Sequence, residues 1–478
     1  MAEIHSGATL TPTKLELLPD WMARQRWYAA KGRVPRLRKL WSWRLDDPAG
    51  RVGIETLLVV DESGPSPVVY QVPLTYRGAP LEGGQEALVG TMEHSVLGPR
   101  WVYDGPRDPV YAAQLLELLL GRATAQAGSA SDTPEPEVEG VRHRSAPAVE
   151  VHGSRVLTGE QSNTSIIYDC TDANGDPKPL ICKVFRTLQD GENPDVVVQG
   201  ALAEAGSLRV PAMAGSVSAS WPAVDDADSR AQGHLAFAQE FFPGTEDAWR
   251  VALRAVGEGR DFTGPAQELG AATAEVHARL AEALPTEPVS PEAIAATVAG
   301  MRRRYFAAAS EVPAIAAYDH EITAIFELAA EADWPRLQRI HGDYHLGQVL
   351  QVPGRGWVLL DFEGEPLRPL SERSRPDLAV RDIAGMLRSF DYAAGSWERA
   401  HPGSSARRWA EDAQVAFLDG YAAVAGRDPR ADSALLTALQ LDKALYEIVY
   451  EARNRPTWLS IPTDAVVRLL DEARKATR

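Results

Sequence analysis

The sequence predicts an α+β protein in which β-rich segments come first and a larger helical portion follows. Three observations lead there. Apolar residues alternate with period two, and β-branched residues cluster, over residues 39–76 and again over 148–185. Beyond about Asn193 the period lengthens to that of helices through alanine-rich segments. One stretch, residues 337–366 (LQRIHGDYHLGQVLQVPGRGWVLLDFEGEP), interrupts that helical run with a hairpin-like pattern whose polar residues sit at its rims. A chain of 478 residues with 45% hydrophobic content has material for more than one core, roughly two to four by the usual domain size.

Charge narrows the functional classes. A formal net charge of −17 disfavours a general nucleic-acid surface or an anionic membrane surface, because the field of the whole molecule repels polyanions. The two cysteines, Cys170 and Cys182, lie in or beside apolar β-like runs, which argues against a disulfide framework or a cysteine metal site and suits a reducing cytoplasm. Residues 1–13 lack a basic region followed by an apolar run, and no run of about 18 apolar residues occurs. A cytoplasmic monomer or weak oligomer is expected, acting on a small molecule.

In chain order, residues 15–26 have the periodicity of a short amphipathic helix and lead into Trp27-Tyr28-Ala29-Ala30-Lys31-Gly32-Arg33. Aromatics interleaved with cations also occur in nucleic-acid patches, but the overall acidity favours aromatic anchors of a small core. The runs 40–45, 56–60 and 68–72, separated by Asp46-Asp47-Pro48 and Glu62-Ser63-Gly64-Pro65, predict an antiparallel meander ending near residue 90. Residues 110–126 carry a helical stripe, whereas 127–147, rich in Gly, Ser, Pro and Glu, read as a mobile loop or linker. Strands resume at 148–158, 165–169 and 180–185. One further strand, 235–238, runs into Gln239-Glu240-Phe241, and helices are expected over 246–258, 264–283, 288–310, 312–333, 378–397, 405–425 and 430–456.

The chemistry gathers in 337–366. Val349-Leu350 and Trp357-Val358-Leu359-Leu360 flank Pro353-Gly354-Arg355-Gly356, the composition of a β-hairpin. His341, Asp343, His345 and Gln348 precede the first arm and Asp361 closes the second, so pairing the arms returns Asp361 to the loop. Two carboxylates and an amide then converge on one hard cation, for which Mg²⁺ carrying phosphate is the obvious candidate. Glu363 falls on the face of Asp361 if the strand continues, and either adds a metal ligand or faces the substrate. His341 and His345 stand i, i+4 apart like a zinc pair. No glutamate of the metalloprotease pattern separates them and no third ligand is near, so His341 is read as a hydrogen-bonding loop residue. Lys183 sits inside the apolar run 181–185; either it faces outward or a nucleotide phosphate is its partner. Ser162, Asn163, Thr164 and Ser165 form a turn without a glycine-rich signature, so phosphate contacts there would come from hydroxyls and backbone amides.

The spacing HGDxxxxQ, with DFE beginning eighteen residues after the aspartate, resembles the catalytic loop and metal motif of protein kinases and aminoglycoside phosphotransferases, with glutamine in place of the usual asparagine. The longer strings HGDYHLGQVL and DFEGEP resemble the maltokinase family and its actinobacterial relatives, the glucosamine kinases. RQRWYA at 24–29, GEQSNTS at 159–165 and LDKALYEIVYEARNRPTW at 441–458 are similar to that family's cap opening, phosphate-covering turn and C-terminal sugar-side helix. The resemblance implies a bilobal protein-kinase-like fold with a β-rich N-terminal cap (1–90), a β-rich ATP lobe (91–238) and an α-helical catalytic and sugar-binding lobe (239–478). It implies ATP and Mg²⁺ as cofactors, Asp343 as the base, and Gln348 and Asp361 as metal ligands. It places Lys183 at the phosphates and Gln239, Glu240 and Phe241 where adenine is held.

The sugar pocket falls to His345 and to Asp442, Tyr446, Glu447, Tyr450, Glu451, Arg453 and Trp458, which recur near helical spacing on one broad face. Carboxylates there would take paired hydroxyls and aromatic faces would cover the ring; a solvated acidic face is the plainer reading. One departure stands out. The family carries a glutamate near Val197 to pair with the strand lysine, but residues 193–200 read NPDVVVQG, leaving Glu204 or Asp195 as the partner of Lys183. The acceptor is glucosamine at its 6-hydroxyl, slightly favoured by the acidic helix, or maltose at its anomeric hydroxyl. An aminoglycoside acceptor and a catalytically silent regulator are the remaining alternatives, and intact Asp343, Gln348 and Asp361 argue against the second.

Overall fold

The computed structural model describes residues 7–130, 132–157, 162–226, 228–365 and 368–476. Gly159, Glu160 and Gln161 of the expected phosphate-covering turn, and Pro366 at the end of the hairpin stretch, lie outside these. The chain forms two compact units, one of residues 1–200 and 211–243, the other of 201–210 and 244–478.

The first unit holds two sheets. The larger, of eight strands, contains the expected meander: Leu37–Leu45, Val52–Asp61 and Val68–Arg77 pair antiparallel in succession. It continues through Leu88–His94 and Gly98–Asp104, so residue 90, the expected end of the cap, falls inside a strand. The helix Lys14–Met22 is started by a reciprocal cap in which the Thr13 hydroxyl accepts the Glu16 N–H and the Glu16 carboxylate accepts the Thr13 N–H. Its Trp21 meets Trp27 edge to face at 5.5 Å, Trp27 packs against Tyr70, and the Tyr28 hydroxyl donates to buried Asp61 at 2.9 Å. The interleaved aromatics are therefore core.

The second sheet has six strands in the order Val138–Arg142, Met213–Pro222, Arg230–Glu240, Leu180–Phe185, Asn163–Thr171 and Glu150–Val156. It corrects two expectations. Residues 127–147 are not a free linker: Gln126–Ala127 pairs with the first sheet and Val138–Arg142 forms an edge of the second. The close fit that fixes this edge is invisible to composition, because it depends on glycine. A Cβ on Gly140 would lie 1.9 Å from the Leu118 carbonyl oxygen at the end of the helix Pro109–Leu119. Likewise a full strand, Met213–Pro222, pairs with Arg230–Glu240 where only 235–238 was expected, because its Ser-Val-Ser-Ala-Ser alternation carries little apolar bulk.

The second unit is helical. Ala248–Gly257, Thr263–Ala283, Pro291–Glu311, Asp319–Ala330, Ala379–Ala400, Arg407–Ala425 and Ser433–Asn454 follow the predicted spans, and Ser460–Ala476 adds a helix that was not expected. No helix among the described residues is long and apolar enough to cross a membrane. Thr263–Ala283 and Arg407–Ala425 touch backbone to backbone at two glycines. A Cβ on Gly270 would lie 1.9 Å from the Phe417 carbonyl oxygen, and one on Gly420 1.9 Å from that of Gln267. Gly420→Ala must push these helices apart, and overpacking of this kind costs about 1–3 kcal/mol. A clearly lowered Tm in thermal unfolding followed by circular dichroism is expected; an unchanged Tm would mean that the helices do not meet here.

Candidate active site

The hairpin forms as its composition predicts. Val349–Val352 pairs antiparallel with Gly356–Leu359, and the turn carries Gly354 and Gly356 at φ +76° and +77°. Leu360 N–H donates to the Gln348 carbonyl at 2.9 Å, and Gln348 Nε2 donates to Asp361 Oδ2 at 2.9 Å. Asp361 is thereby returned to the loop. It adopts φ +66°, a left-handed conformation that costs a residue with a side chain on the order of 1–3 kcal/mol and that clusters at functional sites. A carboxylate oxygen of Glu363 lies within 4.8 Å of one from Asp361.

The loop ahead of the hairpin is clamped by Asp382 in the helix Ala379–Ala400. Its two carboxylate oxygens accept the N–H groups of His341 at 2.8 Å and Gly342 at 2.9 Å, and His277 Nε2 lies 3.1 Å away. Gly342 is at φ +84°, and a Cβ there would stand 3.2 Å from the Gly364 Cα. His341 Nε2 is 2.8 Å from the Leu360 carbonyl oxygen, which can only accept, so Nε2 carries the proton. The histidine is a hydrogen-bonding loop residue, as read from the sequence. Tyr344, one residue past Asp343, is fixed by its hydroxyl, 2.8 Å from Thr273 Oγ1.

Asp343 projects from this clamped loop, its side chain 24% exposed. Its Oδ1 lies 3.3 Å from Lys443 Nζ, and the same ammonium is 2.6 Å from Glu365 Oε1. Burial alone would raise the Asp343 carboxyl, but Lys443, His345 and His341 outweigh it and hold the group below the usual carboxylate range. Burial would likewise favour a neutral Lys443, yet Glu365 and Asp343 lift its ammonium above the ordinary range. Burial pulls the His345 imidazole down, so it is neutral near pH 7, with Nδ1 accepting the Gly347 N–H at 3.0 Å. Lys443 was missed in the sequence; the available signal was a single lysine within the 441–458 motif.

The expected sugar-side carboxylates need correction. Asp442, Glu447 and Glu451 are buried, and each is met by arginine. Asp442 accepts from Arg304 at 2.7 Å and from Arg381 at 3.3 Å, Glu447 from Arg388 at 2.7 Å, and Glu451 from Arg455 at 2.6 Å with the Tyr392 hydroxyl at 3.1 Å. These acids join helices and present no free carboxylate face. Arg453 pairs with Glu311 on an exposed surface, Tyr450 is exposed, and Trp458 stacks on Tyr392 beneath the Arg455 guanidinium. Of the group, Tyr446 alone joins the Asp343 cluster, with Lys443 Nζ 5.0 Å from its ring centroid; burial pushes its hydroxyl up to about 12.

In the first unit, Lys183 Nζ bonds Asp195 Oδ2 at 2.7 Å and lies over the Phe237 ring. Asp195 stands in the first turn of the helix Pro194–Glu204, where the Asn193 side chain accepts its N–H at 2.8 Å. Asp195, and not exposed Glu204, therefore pairs with Lys183. The expected phosphate turn is corrected in part. Asn163, Thr164 and Ser165 begin the strand Asn163–Thr171, with Thr164 Oγ1 accepting from Arg186 and Ser165 fully buried; Ser162 precedes the strand and is exposed. No glycine interrupts the strand, so pairing extends back to Asn163. Gln239 is buried against Gln199, while the N–H groups of Glu240 and Phe241 bond the Ala212 and Pro179 carbonyls. Neither amide is available to an adenine edge.

Residues 159–435 match the phosphotransferase enzyme family, and residues 21–108 match the maltokinase N-terminal cap domain. The chain belongs to the phosphotransferase enzyme family, with a kinase-like fold preceded by a β-rich cap. It is 28% identical over 420 residues to a glucosamine kinase of Streptacidiphilus jiangxiensis, covering 83% of this chain and 91% of that one. A glucosamine kinase of Mycolicibacterium smegmatis is 27% identical, covering 82% and 97%. A solved glucosamine kinase in complex with glucosamine, ADP and inorganic phosphate shares the fold, with a TM-score of 0.64 and 22% identity over 96% of this chain and 100% of that one.

Because Lys443 is the chief attraction opposing burial at Asp343, Lys443→Met should raise the carboxyl from its depressed position. A depressed carboxyl loses its favourable ionised state as pH falls through the folded value, so in the variant that loss begins at higher pH. The acid limb of kcat/KM should therefore shift to higher pH; an unmoved limb would show that Lys443 does not set the charge of Asp343.

Proposed function

We propose that the protein is an ATP- and Mg²⁺-dependent sugar kinase that phosphorylates glucosamine at its 6-hydroxyl. The observation that carries this reading is Asp343, held ionised by Lys443 on a loop fixed by Asp382, beside a returned carboxylate and amide. Asp343 accepts the proton of the acceptor hydroxyl as its oxygen bonds the γ-phosphorus and the bond to ADP breaks. Lys443 keeps that carboxylate charged and aimed. Gln348, Asp361 and Glu363 offer only oxygen ligands of the kind a hard divalent cation prefers, and would hold Mg²⁺. The ion, when bound, neutralises charge on the transferring phosphoryl group. In the first unit, Lys183, set by Asp195, would take a phosphate of ATP.

The acceptor assignment rests on the two glucosamine kinases that this chain matches over most of their length. It no longer rests on Asp442, Glu447 and Glu451, whose charges are spent on arginines. The match of residues 21–108 to a maltokinase cap keeps maltose phosphorylated at its anomeric hydroxyl as the second reading.

ADP release in a coupled assay should be seen with glucosamine; turnover of maltose alone would overturn the acceptor, and turnover of neither would overturn the sugar-kinase reading. Asp343→Asn should abolish turnover with little change in Tm, because its contacts are a charged pair at a partly exposed site and not core packing. Activity retained in that variant would remove Asp343 as the base. Gln348→Ala should raise the Mg²⁺ concentration needed for half-maximal rate, read by titrating the metal at saturating ATP; an unchanged requirement would exclude Gln348 as a ligand.

A further inference from the structure

The cap carries an open cavity of about 520 Å³ that no step of the proposed reaction uses. It lies in the first unit against the large sheet, with Lys14 at the start of the helix Lys14–Met22 on its wall. Lys14, Arg44, Arg51, Arg100 and His94 line it, with Glu55 as the single carboxylate. In a chain of net charge −17, four permanent cations facing one acid is a local reversal of sign.

That acid is already neutralised. Glu55 is buried, stands opposite Arg44 in the strand register, bonds the Lys14 ammonium, and accepts from the Tyr76 hydroxyl at 3.0 Å. Burial would raise its carboxyl, but Lys14 and then Lys39 outweigh that effect and keep it ionised. Among the described residues no carboxylate lies within ion-pair distance of Arg44, Arg51 or Arg100, although Asp47 acts on Arg51 from further off; Arg304, Arg381 and Arg388 in the second unit each meet a carboxylate directly. Arg100 bonds only the Pro99 carbonyl at 3.0 Å, and the nearby Asp47 carboxylate is committed to the N–H groups of Ala49, Arg51 and Val52. The three guanidiniums reach the cavity from separate elements: Leu37–Leu45, the turn after it, and Gly98–Asp104. Convergence of arginines that no carboxylate meets directly on a concave surface is the arrangement that recognises phosphate oxygens in pairs, and the volume falls within the range of small-molecule sites.

We propose that the cap cavity is a second, non-catalytic binding site for a small phosphorylated molecule. The guanidiniums of Arg44, Arg51 and Arg100 supply the phosphate contacts, and the Lys14–Glu55–Tyr76 cluster forms a rigid polar wall. This proposal does not depend on which sugar is phosphorylated.

Inorganic pyrophosphate is a suitable probe, measured by equilibrium dialysis against the full chain at physiological ionic strength without Mg²⁺ and with ADP saturating the nucleotide site. The wild type should retain one ADP-resistant pyrophosphate site. Arg44→Ser/Arg100→Ser should weaken it at least about tenfold while kcat stays unchanged, as expected when charge-assisted phosphate contacts are removed. Arg51→Ser, at an exposed turn position that carries no part of the core, should weaken it in the same direction and guards against a double variant that fails to fold. Absence of ADP-resistant binding in the wild type, or equal binding in the Arg51→Ser protein, would overturn the proposal.

Discussion

One carboxylate, Asp382, anchors the loop that carries Asp343. By accepting two consecutive backbone N–H groups from His341 and Gly342, it fixes the loop at the residues immediately before Asp343. His277 reaches the same carboxylate from the helix Thr263–Ala283, so the loop is tied to two helices at one point. Everything after this point follows in register: Asp343 meets Lys443, the hairpin begins at Val349, and its second arm returns Asp361 to Gln348. Such preorganisation matters for phosphoryl transfer, in which positioning and charge compensation supply most of the rate and little is asked of covalent chemistry.

The parts legible in the sequence were those governed by near neighbours. Period-two alternation located the cap meander, period 3.6 located the helices of the second unit, and Pro353 to Gly356 located the hairpin turn, because each is set within a few residues of chain. Most of the misreadings have the opposite cause, Glu451 with its neighbour Arg455 four positions on being the exception. Helical spacing correctly placed Asp442, Glu447 and Glu451 in one helix, but the charges that neutralise Asp442 come from Arg304 and Arg381, 138 and 61 positions away, and that for Glu447 comes from Arg388, 59 positions away. Spacing cannot register an arginine arriving from another helix. The same holds for Gly140 and Gly420, whose significance lies in the backbone they touch and not in their own propensity.

The partner of Lys183 shows how local chemistry can rescue such a reading. With Val196-Val197-Val198 where an acid was expected, the lysine could have been left to a distant partner. Asn193 caps the helix and Pro194 suits its first turn, which brings Asp195 onto the lysine from the helix entrance. The ion pair expected from within the helix is here built from its start.

Asp343, Glu365 and Lys443 together hold two negative charges and one positive in a partly water-excluded pocket. Taken alone the trio carries one net negative charge, which Arg381 meets from the side of Glu365. When Asp343 takes up a proton, Lys443 and Glu365 remain as a balanced pair and the trio becomes neutral. Because the Asp343 carboxyl is held below the usual carboxylate range, the resting site favours its ionised form, and once that carboxyl is protonated the lysine's load passes to Glu365.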